Sequence, residues 1–210
     1  MSEQILFTIG HSNHSIADFV SLLKKYNITA LADVRSQPYS RYLTHFNQPN
    51  LKLALMEAGI QYVFLGKELG GRPQEENCYL NGQADYDKMA GTETFKAGKK
   101  RLLEGIKKYR TALMCAEKDP LDCHRFLLVC RYLRQDHLAI NHILKNGEIE
   151  THEDLEKRLL KKQGFPTEEA TTQQLSLFDL DFPPPQKSPE ELLNEAYRLQ
   201  SQQVAYQAKS

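Results

Sequence analysis

Four clusters of residues able to do chemistry punctuate the first 125 positions. They are Gly10-His11-Ser12; Asp33-Val34-Arg35-Ser36 with Pro38, Ser40 and Arg41; Leu69-Gly70-Gly71-Arg72; and Cys115-Ala116-Glu117 followed by Cys123-His124-Arg125. Their types suit a site for an anionic substrate. Arg35, Arg41, Arg72 and Arg125 carry planar forks matched to phosphate or carboxylate, and Gly70-Gly71 lets a backbone approach closely. Ser12, Ser40 and His124 are grouped with them as substrate-binding residues. Glu117 and Asp33 are the candidate carboxylates for acid–base work or for stabilising a developing sugar cation, with His11 as a candidate proton shuttle. Cys123, expected one turn into a helix and next to His124 and Arg125, is a candidate nucleophile with a lowered thiol pKa. Buried packing is an equally weighted role for Cys115 and Cys123.

The four cysteines, Cys78, Cys115, Cys123 and Cys130, have neither Cys-x-x-Cys spacing nor the density of a disulfide scaffold, and are expected as free thiols. Cys123, His124, His142 and His152 match the spacing of no compact metal site, so no metal is expected, and the residues specify no cofactor. The strand-Cys-loop-helix order around Cys115 is similar to that of rhodanese and phosphatase folds. Leu121 stands where a phosphatase would need arginine, six residues after Cys115, which argues against that chemistry.

Each cluster follows a segment that reads as a strand. Ile5 to Ile9, Ile28 to Val34, Tyr62 to Leu65 and Thr111 to Cys115 are short apolar runs. They alternate with helical patterns after Gly10, over Leu51 to Ala58 and over Glu93 to Tyr109. Asp119-Pro120-Leu121-Asp122 has the cap and early proline that open a helix, expected to run to about Arg134. Such alternation implies an α/β fold: a Rossmann-like, open, mainly parallel sheet flanked by helices. All four clusters then meet at the carboxyl edge of the sheet, where ligands bind in this architecture. Ala139 to Leu144 and Glu148 to Glu150, joined by Asn146-Gly147, read as a closing C-terminal hairpin, and Thr151 to Lys162 as a last basic helix capped by Thr151.

Together these stretches resemble a bacterial family catalogued as domain of unknown function 488. The resemblance is carried, in order, by Thr8-Ile9-Gly10-His11-Ser12, Asp33-Val34-Arg35 with Pro38 and Ser40, Phe46, Leu69-Gly70-Gly71, Cys115-Ala116-Glu117 with Cys123-His124-Arg125, and His142 through Gly147 to His152. It covers roughly residues 5 to 160. It implies an α/β domain and the importance of these residues, and it supplies no reaction.

The expected organisation is an α/β domain over 1–165, a linker over 166–187 and an amphipathic helix over 188–210. The linker is polar, acidic and proline-rich. Ser188-Pro189-Glu190-Glu191 is a capping box, and the helix it opens would dock on the body or on a partner. Within the linker, Gln174-Leu175-Ser176-Leu177-Phe178 matches at all five positions the pentapeptide by which bacterial polymerases and repair proteins bind the DNA sliding clamp. Gln174 can hydrogen-bond at one end while Leu177 and Phe178 fill an apolar pocket, with Leu175 alongside.

Charge is partitioned in the same way. The chain of 210 residues has 27 basic and 27 acidic side chains, but positions 166–210 hold only Lys187, Arg198 and Lys209 against seven carboxylates. The body is therefore basic, and Lys96, Lys99, Lys100, Arg101, Lys107 and Lys108 are expected to face only Glu104 across one helix, as a possible DNA contact. No apolar run is long enough to span a membrane and the start lacks a signal peptide, so a cytoplasmic protein is expected. The resulting expectation is a DNA-processing or DNA-repair-associated protein recruited by the sliding clamp, with hydrolase chemistry of N-glycosidase type at an anion-binding pocket. The alternatives are a non-catalytic adaptor that senses nucleotide or DNA, and a cysteine-dependent enzyme using Cys123.

Overall fold

A computed structural model describes residues 4–136, 138–166 and 187–208. In chain order the elements are β1 (Ile5–Gly10), α1 (Ile16–Lys25), β2 (Ala30–Asp33), α2 (Gln48–Glu57), β3 (Gln61–Phe64), α3 (Gly66–Leu69), β4 (Tyr79–Leu80), β5 (Gln83–Ala84), α4 (Tyr86–Gly91), α5 (Glu93–Ile106) and β6 (Thr111–Cys115). After a π-helical turn (Arg125–Cys130) come α6 (Arg131–Leu133), β7 (Ala139–Ile143), β8 (Ile149–Thr151), α7 (His152–Lys162) and α8 (Pro189–Val204).

Strands β3-β2-β6-β1-β7-β8 form one sheet, parallel throughout except for the edge strand β8, so the expected fold class holds. Because successive strand residues point to opposite faces, Phe7 and Ile9 pack with Phe19, Leu23, Leu51 and Leu55 of α1 and α2. Leu6 and Leu113 pack on the other face with Phe95, Phe126, Leu155 and Tyr197. The parallel strands thereby end together, and β1, β2 and β6 deliver His11, Val34 and Ala116 side by side. His11 N donates to the Cys115 carbonyl at 2.8 Å and Val34 N to the Met114 carbonyl at 3.0 Å.

Two expectations change here. The helix predicted from Asp119 to Arg134 is interrupted. Asp119 accepts from Leu121 N and caps a single 3-10 turn, Pro120–Asp122, after which Cys123 is extended (φ −137°, ψ 136°). Helix resumes at Arg125 as the π turn, a form common where a helix is distorted for a site. The extended Cys123 turns its thiol toward Glu117, 3.1 Å away, which a continuous helix would not allow. The second change is that the short helix α3 separates β3 from Gly70-Gly71.

The α8 helix docks on the body. Ser188 and Glu191 form the expected capping box, worth about 1 kcal/mol, and Leu193, Ala196 and Tyr197 are buried. Beyond it the chain pairs with the β4–β5 hairpin, where Ala84 N donates to the Tyr206 carbonyl at 2.9 Å. Asn81 (φ 50°) and Gly82 (φ 77°) supply the left-handed turn of that hairpin. The pentapeptide Gln174–Phe178 lies outside the described residues. Among the described residues, no helix is long and apolar enough to cross a membrane.

Candidate functional site at the carboxyl edge of the sheet

A cavity of about 260 Å³ opens at the carboxyl edge, lined by Arg35, Ser36, Gln37, Gly71, Arg72, Tyr86, Cys115, Ala116, Glu117, Asp122, His124, Val204 and Tyr206. A larger groove of about 680 Å³ runs along Lys118–Pro120, Leu144–Asn146, Glu150 and Arg158. There Arg158 pairs with Asp119 and Glu150 at 2.8 Å each, whereas the smaller cavity holds the reactive residues.

The floor is built from two stretches. The loop after β6 folds back over the end of β1, and a Cβ on Gly10 would lie 1.8 Å from the Glu117 carbonyl oxygen, so only glycine permits the approach. Arg125, fully buried, donates from Nη1 to that same carbonyl at 2.7 Å and from Nη2 to the Lys118 carbonyl at 3.4 Å. The Glu117 side chain then receives two thiols on one oxygen, Cys115 Sγ at 2.8 Å and Cys123 Sγ at 3.1 Å. Cys115 Sγ lies 3.6 Å from His124 Nδ1. His124 Nε2 faces the Val34 carbonyl at 2.9 Å, and because a carbonyl only accepts, that nitrogen carries the proton.

Electrostatics follow from burial. Burial raises the Glu117 carboxyl above the usual carboxylate range. It opposes ionisation of both thiols, yet the bond from Cys115 and the charge of Arg125 outweigh it at Cys123, which lies well below the usual thiol range while Cys115 lies well above.

The wall is made by arginines held in fixed poses. Arg35 donates to Asp33 from Nε at 2.9 Å and Nη2 at 2.7 Å, and Tyr62 donates its hydroxyl to Asp33 at 2.8 Å. Asp33 has no exposed surface, and its carboxylate oxygens are taken by Arg35 and Tyr62. His11 sits behind this pair, stacked on Phe46 with centroids 4.3 Å apart. Its Nδ1–H donates to the Ser12 carbonyl, its Nε2 faces Arg35 Nη1 at 3.3 Å, and burial lowers its pKa to about 4. The imidazole is neutral in this arrangement and its lone pair faces Arg35. Arg72 donates to Gln37 Oε1 at 3.2 Å, with its guanidinium carbon 4.6 Å from the Tyr206 ring centre.

Of the residues expected at the site, Glu117, Arg35, Gly71, Arg72 and His124 line one cavity, with Cys123 just beneath and Asp33, His11 and Arg125 behind. Gly70 packs against the Gly66 carbonyl. Ser12, Ser40 and Arg41 do not join them: Ser12 bonds Asn13, Ser40 Oγ accepts from Tyr42 N and Leu43 N, and Arg41 stacks on Tyr42. Gln37, Tyr86, Val204 and Tyr206 were not anticipated. Tyr206 in particular reaches the site only because α8 docks, which no local motif announces.

The basic helix also differs from expectation. Lys96 pairs with Glu93 and Lys107 with Glu104 of α5 itself, and Lys99 with Asp136 and Arg101 with Glu68 of other elements, so carboxylates answer much of the patch.

A family model described as Domain of unknown function DUF488 matches residues 15–132, a span that contains Cys115, Glu117, Cys123, His124 and Arg125 but begins after Gly10 and His11. No curated protein and no solved structure matches the chain.

Proposed function

The chain therefore belongs to that family, which carries no reaction, and we propose from the site itself that the protein is a hydrolase acting on a phosphate-bearing nucleotide or nucleic-acid substrate in DNA processing or repair. The observation that carries this reading is that Arg35, Arg72 and Glu117 line one cavity at the edge where open α/β sheets bind ligands. The guanidinium groups hold phosphate, and Tyr86 and Tyr206 offer aromatic surface beside it. Glu117 takes the proton of an attacking water or faces the cation that develops as an N-glycosidic bond breaks. A symmetric pair of catalytic carboxylates is not part of the proposal, because Asp33 is committed to Arg35.

Recruitment to DNA is proposed on Gln174-Leu175-Ser176-Leu177-Phe178. Purified clamp should bind the full chain and lose that binding when Leu177→Ala and Phe178→Ala are combined; equal, negligible binding by both proteins would end this part of the reading. For the chemistry, the wild type and Glu117→Gln should be incubated with nucleosides, nucleotides, and single- and double-stranded DNA, with release of base or phosphate monitored. Turnover confined to the wild type supports the hydrolase. Tight binding of a nucleotide with no turnover by either protein would favour the sensing adaptor instead.

A further inference from the structure

Cys115, Glu117, Cys123 and His124 each bring one ligating atom into a group no wider than 4.8 Å. The two thiols lie 2.8 and 3.1 Å from the Glu117 oxygen, and Cys115 Sγ lies 3.6 Å from His124 Nδ1. The edges of a tetrahedron about zinc, with bonds of about 2.0–2.3 Å, measure about 3.3–3.8 Å, so the Cys115–His124 pair already has that spacing and the two contacts to Glu117 need to lengthen by roughly half an ångström. Two sulfurs, one imidazole nitrogen and one carboxylate oxygen are donors that zinc accepts and that magnesium or calcium would not select.

Two further observations point the same way. His124 is oriented as a metal-binding imidazole is: its Nε2–H is spent on the Val34 carbonyl, leaving the Nδ1 lone pair facing the sulfurs. Its ring is fixed from the other side by Gly71, where a Cβ would lie 2.9 Å from His124 Cγ. The second is Arg125, which is fully buried, bonds only carbonyl oxygens through its two terminal nitrogens, and leaves Nε without a partner among the described residues. Two thiolates, one carboxylate and a divalent cation sum to a single negative charge, and Arg125 beside them makes the loaded cluster neutral, which a buried site requires.

We propose that Cys115, Cys123, His124 and Glu117 bind a divalent cation of the zinc class with both sulfurs as thiolates, any proton still carried by either sulfur passing to solvent. Glu117 is the exposed member of the four and lines the cavity, so it is the ligand that exchanges for water or substrate. That exchange makes the ion the activator of the attacking water, a step that rests on the hydrolase reading; the binding itself does not.

The full chain, purified reduced and without chelator, should carry one zinc per molecule by elemental mass spectrometry. Cobalt in its place should give thiolate-to-cobalt charge-transfer absorption. Combining Cys115→Ser with Cys123→Ser should abolish both signals. Should that variant not fold, Gly71→Ala, which presses on His124 without removing a ligand, should weaken metal affinity by about tenfold or more. Folded, reduced protein that takes up no zinc at excess metal would overturn the proposal, as would a Cys115–Cys123 disulfide in place of metal, or full occupancy in the double serine variant. Metal occupancy and turnover are read separately: stoichiometric zinc with no turnover keeps the site and removes the hydrolase, and turnover without zinc does the reverse.

Discussion

Two clusters of polar side chains lie against the same sheet, each with a glutamate and a histidine at its centre, and they differ in whether their valences are filled. In one, Cys115, Glu117, Cys123 and His124 meet at a cavity, with two thiols crowding one carboxylate oxygen and an imidazole lone pair aimed at sulfur. In the other, Thr8, His142, His152, Glu156 and Tyr197 form a closed chain. Thr8 Oγ1 lies 2.8 Å from His142 Nδ1, His142 Nε2 lies 3.2 Å from His152 Nδ1, and Tyr197 donates to Glu156 at 2.8 Å. Phe126 packs on His142, His152 and Tyr197, and burial drives the His142 pKa well down. A saturated network in a dry setting ties elements together, here α8 to α7 and β7. A cluster with ligand atoms still available beside a cavity is where chemistry is to be sought.

The two glutamates make the sharpest break between these regions. Glu117→Gln should lower turnover by about 10²–10⁴-fold, the usual worth of a positioned acid or base, while leaving the denaturation midpoint nearly unchanged. Glu156→Gln should do the opposite, loosening α8 in hydrogen exchange and weakening substrate binding through Tyr206 while turnover at saturating substrate persists. Loss of turnover from both variants to the same degree would erase the distinction. A smaller effect is expected from Tyr197→Phe, which removes only the hydroxyl that Glu156 accepts from. It should cost about 1–2 kcal/mol in urea denaturation and leave zinc stoichiometry at the other cluster untouched.

The sequence made the open cluster partly legible and the closed one hardly at all. Strand endings place Cys115 and Glu117 at the carboxyl edge, and a parallel sheet brings His11 and Arg35 beside them, so convergence follows from periodicity alone. The four-residue ligand set was not legible, because Cys-x-Glu and Cys-His are separated by a loop and match no short metal spacing. Only the break at Cys123 turns its sulfur toward Cys115. The early proline and cap at Asp119–Pro120 signal a helix start equally well for one turn or four. His142 and His152, which match no compact metal spacing with Cys123 and His124 in the sequence, bond each other in the fold, because β8 pairs antiparallel with β7 and sets the start of α7 beside it. Asp33 looked like a catalytic carboxylate because sequence reveals residue type and position but not that Arg35 and Tyr62 occupy its oxygens.

The closed cluster should also carry a pH signature of its own. Burial by itself would raise the Glu156 pKa, but the bond and charge of His152, the charge of Arg134 and the Tyr197 hydroxyl outweigh it and hold the carboxyl below its ordinary value. A group whose folded pKa is depressed contributes stability above its unfolded value, about 4.3 for glutamate, and loses it as pH falls through the folded value. Acidification below about pH 5 should therefore loosen α8 before the sheet unfolds, because Glu156 is where α8 is tied to α7 through Tyr197. Hydrogen exchange of α8 amides between neutral and acidic pH reads this directly, and Glu156→Gln should flatten the response. An equally steep loss of α8 protection in that variant would place the acid sensitivity elsewhere. Tyr206 stands beside Arg72 only while α8 is docked, so the same acid step should also open the cavity wall and weaken nucleotide binding.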